Sequence, residues 1–84
     1  MKLLVKLSNG NTIPVVIKSS DTIETLKLYI AFYSNIPKDH FELMWNDEFL
    51  IPESLELCEI DVNGEKLPLN QWNINNLIFV KLIN

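Results

Sequence analysis

The sequence predicts an α+β domain in which a mixed β-sheet curls round a single helix. Three observations carry that reading. One stretch, from Asp21 to about Ser34, has helical periodicity, with Ile23, Leu26, Ile30 and Tyr33 recurring as a buried stripe. Segments of period two surround it, at Met1–Leu7, Thr12–Lys18 and Phe41–Trp45, and Leu77–Ile83 is a strongly apolar run of strand length. A lone helix of about twelve residues cannot bury its own stripe, so the rest of the chain must supply a sheet.

In the first strand Leu3 and Val5 alternate with Lys2 and Lys6, and Leu4 interrupts the polar face. Ser8–Asn9–Gly10–Asn11 forms a turn in which Gly10 can take the positive φ that such turns often need. Thr12–Lys18 returns with Ile13, Val15 and Ile17 on one face. Pro14, which donates no N–H, falls early in that strand, where an edge or a bulge tolerates it. Asp21 and Thr22 are both suitable N-caps for the helix. Ser34 and Asn35 weaken its end, and Pro37 forces Ile36 into an extended conformation.

Phe41, Leu43 and Trp45 alternate with Glu42, Met44 and Asn46 as a half-buried strand. Asn46–Asp47 turns the chain, and Glu48–Leu50 returns before Pro52. Residues 52–58 are left open, between the start of a hairpin piece from Leu55 and a short helix with Pro52 near its start. Asn63–Gly64 is the strongest hairpin signal in the chain. A two-residue turn there sets Val62 against Glu65, Asp61 against Lys66 and Ile60 against Leu67, with Cys58, Ile60 and Val62 on one face. Asn70–Asn76 is a polar loop pinned by Trp72 and Ile74. Leu77–Ile83 is apolar enough to be a central strand.

Composition removes several function classes. The net charge is −4 and the apolar fraction 48%, with no arginine and only scattered lysines, a poor footprint for nucleic acid. No apolar run is long enough for a membrane span, and MKLLVKLSNG is no signal peptide. A single cysteine, Cys58, fits a reducing compartment, so an intracellular protein of the cytoplasm or nucleus is expected. His40 stands beside Asp39 with no nucleophile placed by motif, and one His with one Cys makes no tetrahedral metal site. Gly10 and Gly64 stand apart, so no phosphate-cradling loop exists. No catalytic residue, cofactor or metal ligand is expected, and the chain does not read as an enzyme.

Hairpin, helix, strand, short strand, loop and central last strand make a β-grasp arrangement, and here the chain resembles ubiquitin and its ubiquitin-like relatives. MKLLVKLSNGNTI resembles their first hairpin and SDTIETLKLYI the stretch where their helix begins. Ile36–Pro37–Lys38–Asp39 is similar to the turn after the helix, and Phe41–Glu42–Leu43–Met44–Trp45 to the third strand. Leu69–Asn70–Gln71–Trp72–Asn73–Ile74 resembles the late L-x-x-aromatic-Asn-Ile loop, and Leu77–Ile83 the final strand. Two departures stand out. The stretch between Leu50 and Leu69 is longer than the family pattern and holds the extra hairpin, around 55–69. The chain also ends at Ile83–Asn84, without the basic tail and terminal glycine pair of conjugated members.

The resemblance implies one ubiquitin-like domain over residues 1–84, part of a larger protein, monomeric and non-conjugated. Such an adaptor domain recruits its parent protein to the proteasome, to ubiquitin-handling enzymes or to another assembly. The family's binding patch carries over onto Lys6, Ser8, Met44, Lys81 and Ile83. A second surface is Leu28, Tyr29 and Phe32 on the helix, unless the 55–69 hairpin folds over them as core, which is the reading preferred here. Two alternatives stay open. One is a β-grasp module of another class, Ras-binding through a second strand with Lys18 as its basic residue, or self-associating through the lysine-bearing first half and the acidic 39–65 segment. The other is a truncated modifier.

Overall fold

The computed structural model describes residues 2–62, 64–66 and 77–83. Strands β1 (Lys2–Lys6) and β2 (Thr12–Val16) form the opening hairpin, followed by helix α1 (Ile23–Ser34). A 3-10 turn at Lys38–His40 leads into β3 (Phe41–Trp45) and the short β4 (Glu48–Phe49). A second 3-10 turn, Leu57–Glu59, precedes β5 (Asp61–Val62) and β6 (Glu65–Lys66), and β7 (Ile78–Leu82) comes last.

Five strands make one mixed sheet in the order β2-β1-β7-β3-β4. The apolar β7 takes the middle, parallel to β1 and antiparallel to β3. Its inward side chains Ile78 and Val80, with Leu3, Val5, Val15, Phe41 and Leu43, share one core with Ile23, Leu26 and Ile30 of α1. The β3–β4 turn has positive φ at both Asn46 and Asp47, the backbone of a two-residue hairpin turn that suits the twist of its strands.

The ends of α1 follow from local chemistry. Thr22 is the N-cap, its hydroxyl accepting from the Thr25 N–H at 3.3 Å. Two more N–H groups of the first turn, those of Ile23 and Glu24, donate to the carbonyls of Leu55 and Glu53 at 3.0 Å each. The N–H groups of Leu57 and Cys58 return the contact, to Asp21 and Ser19. The loop 53–58 is therefore stitched to the helix start, where free N–H donors demand partners. At the other end Asn35 adopts the left-handed conformation, φ 58°, and its N–H donates to Ala31.

Four expectations need correction. Tyr33 is exposed, and Lys27, 1% exposed, takes its share of the buried stripe; the inward face of α1 is turned toward Lys27 and the half-buried Ser34. Cys58 is exposed, because the Leu57–Glu59 turn points Leu57 inward instead. Residues 52–58 are neither the start of a hairpin nor a helix from Pro52, but a loop that closes in that single 3-10 turn. Finally, β5 and β6 pair in the expected register, Asp61 with Lys66 and Val62 with Glu65, but do not cover Leu28, Tyr29 and Phe32 of the helix. Their sheet sits beside the β3–β4 turn, where the Asn46 amide donates to Glu65 Oε2 at 3.2 Å. Leu28, Tyr29 and Phe32 are exposed in consequence. The expected Ile60–Leu67 pair, the Trp72–Ile74 anchor and the Leu69–Ile74 loop lie outside the described residues.

Candidate protein-interaction surfaces

The outer face of the sheet is built by strand alternation. Ile78 and Val80 point into the core, so Phe79 and Lys81 point away from it. The register sets Lys6 beside Phe79, Phe79 beside Met44, and Met44 beside Phe49, one row across four strands. At the top of this face the β1–β2 turn is tied by the Leu7 N–H donating to Asn11 O at 2.7 Å and the Gly10 N–H to Leu7 O at 3.0 Å. That tie holds Ser8 exposed at the tip. A shallow groove results, lined by Ser8, Met44, Asp47, Phe79, Lys81 and Leu82 together with Val80.

Of the residues expected from the sequence, Ser8, Met44 and Lys81 line this groove, and Lys6 flanks it through Phe79. Ile83 stands apart from the groove. Its N–H donates to His40 O at 2.8 Å, which anchors it beyond the end of β7. Four lining residues were missed: Asp47, Phe79, Val80 and Leu82. Phe79 was within reach, since it lies two residues before Lys81 and so shares its face. Phe79 and Leu82 are each about half exposed, which gives the groove an apolar centre. Among the described residues no ion pair holds Lys6 or Lys81, so both ammonium groups are available as a basic rim.

The second expected surface lies on the other side of the molecule. Leu28, Tyr29 and Phe32, joined by Thr25 and Tyr33, line a shallow depression along the outside of α1. Phe32 and Tyr33 pack edge to face, ring centres 5.7 Å apart at 81°.

Two further lysines, Lys27 and Lys38, are committed to structure. Lys27 Nζ lies 3.0 Å from Glu53 Oε1, 3.7 Å from Glu42 Oε1 and 5.5 Å from the centre of the Phe41 ring. Lys38 Nζ binds the other Glu53 oxygen at 2.9 Å. These hydrogen bonds, from Lys38 first and then Lys27, hold the Glu53 carboxyl below the ordinary carboxylate range. The same bond raises the Lys38 ammonium above its usual value. Glu53 thus clamps the loop to the helix and to the segment after it.

One helix on a mixed sheet, with an apolar groove and a basic rim on the outer face of the sheet, is the arrangement of a ubiquitin-like interaction domain. The family model described as "Ubiquitin family" matches residues 3–70, and the chain belongs to that family. No curated protein matches it. As a member the domain is non-enzymatic. Among the described residues, no group of three or more His, Cys, Asp or Glu could hold a metal ion, and no helix is long and apolar enough to cross a membrane.

Proposed function

We propose that this chain is an adaptor domain of a larger intracellular protein, in the cytoplasm or nucleus. Through the sheet face around Lys6, Ser8, Met44, Lys81 and Ile83 it recruits that protein to the proteasome, to a ubiquitin-handling enzyme or to a related assembly. The proposal includes a sheet curled round α1 and the 55–69 hairpin as an addition to the common fold. The observation that carries the reading is the Lys6–Phe79–Met44 row and the groove below it. Apolar side chains stand at the centre, cations without an ion pair among the described residues stand at the rim, and the whole rests on the sheet. Interfaces favour that arrangement, in which central burial supplies affinity and rim charge supplies orientation and association rate. Met44 suits such a centre because its side chain adapts to differently shaped partners.

An amide NMR titration with a proteasomal ubiquitin-receptor fragment, and separately with a short ubiquitin-interacting helix, tests the proposal. The expected shifts centre on Lys6, Met44 and residues 78–83, and Met44→Ala weakens them about ten-fold, in line with loss of a central contact. Absence of shifts with both partners removes the assignment.

A further inference from the structure

We infer that the outer face of α1 is a self-association surface, on which a second copy of this chain packs antiparallel across a two-fold axis near Tyr29. Thr25, Leu28, Tyr29, Phe32 and Tyr33 recur at helical spacing, a second stripe as regular as the buried one. Helix sides that face water normally carry charge. Here Glu24 is the sole exposed charged residue of α1, since Lys27 is buried.

Area sets the strength of the contact. The four large side chains are 52%, 44%, 80% and 61% exposed in chain order. At about 200 Å² for each, they offer roughly 450–500 Å² per copy. A pair buries at most roughly 900–1,000 Å², below the standard size of a stable interface and in the class of weak, transient contacts. The dimer is therefore weak, and the dilute chain is monomeric.

Shape and charge select a second copy in one orientation. The Thr25 end of the face is recessed and has Glu24 beside it, whereas Phe32 at the other end projects most. Antiparallel pairing sets each projecting end on a recessed one, twice by symmetry. It also brings each Glu24 carboxylate toward the Tyr33 phenol of the second copy, an O–H donor for an anionic acceptor. Parallel pairing would instead set two carboxylates side by side and crowd two Phe32 rings. The uncharged centre carries no like-charge penalty on meeting itself, and offers no counter-charge to a strongly charged partner. The sheet groove lies on the side of the sheet away from α1, so the dimer leaves two grooves free and can engage a repeated partner bivalently.

Sedimentation equilibrium of the full chain, with amide NMR over about 10 µM to 1 mM, spans the range where so small an interface should form. The expected result is an average mass rising from one chain toward two, with shifts concentrated on Glu24–Ser34. Phe32→Glu sets charge into the centre and should weaken association about ten-fold or more. Its fold is checked by unchanged Leu26, Leu43 and Ile78 signals, and Leu28→Lys serves as the second variant. The inference is overturned if the wild type stays at one chain's mass throughout, if both variants associate as the wild type does, or if the shifts fall on Met44, Phe79 and Lys81.

Discussion

The two sides of α1 are close in apolar content and opposite in fate. Ile23, Leu26 and Ile30 have no exposed surface, whereas Phe32, two residues beyond Ile30, is 80% exposed. Across the inner side lie the side chains of β1, β2, β3 and β7; among the described residues nothing covers the outer side in that way. Hydrophobicity therefore sets how much a side chain gains from burial, and topology decides which side chains receive it. The inner stripe holds the fold together, and the outer stripe leaves its apolar surface exposed. Leu26→Ala and Leu28→Ala sharpen this contrast, since they remove the same atoms from opposite sides. Leu26→Ala is expected to cost about 2–5 kcal/mol, from lost burial and the cavity left behind. Leu28→Ala is expected to stay within about 0.5 kcal/mol. Urea unfolding reads both, and similar losses at the two positions would end the distinction.

Lys27 sits on the boundary between these sides and tests it with a charge. Its stem is packed in the core and its ammonium meets Glu53, Glu42 and the face of Phe41. Lys27→Ala removes both packing and partner, for an expected loss of about 1–3 kcal/mol. Lys27→Met keeps the stem and its packing against Phe41, Glu53 retains Lys38, and the Glu42 side chain is partly exposed to water, so a smaller loss than for Ala is expected. If Met proves as damaging as Ala in thermal unfolding, the charge rather than the packing is the essential part of the side chain.

These contrasts also explain what could be read from the sequence. Elements whose signals are local were legible: the Thr22 cap, the end of α1 at Asn35, the Asn46–Asp47 turn and β3 over Phe41–Trp45. The central place of β7 followed from a strand that is apolar throughout except at Lys81. What failed depended on tertiary placement. Lys27 looked polar and Tyr33 apolar, and only the sheet's position shows that the lysine is the buried one. The hairpin's register was written in Asn63–Gly64, but nothing in its residues told where it would lie. The groove was legible through Ser8, Met44 and Lys81; Phe79 was passed over although strand alternation placed it there.

The smallest expected effect concerns the clamp that joins the two sides, and it is one of pH. Glu53 accepts from Lys38 and Lys27, so its carboxyl titrates below the ordinary carboxylate value of about 4.3. A group whose folded pKa is depressed adds stability that is fully present above its unfolded pKa and is lost as pH falls through the folded one. The contribution is thus complete at neutral pH and fades in the acid window below about pH 4. Lys38, whose pKa is raised by the same bond, adds the mirror contribution, lost only as pH climbs above the usual lysine range. Glu53→Gln keeps an acceptor but not the charge. Its stability against pH, followed by thermal unfolding from pH 7 downward, should start below the wild type and converge with it as acid protonates Glu53. Curves that stay parallel down to the most acid point would mean that the Glu53 charge is not what binds the loop to α1, and that the hydrogen bonds of Leu55 and Leu57 with the helix start suffice.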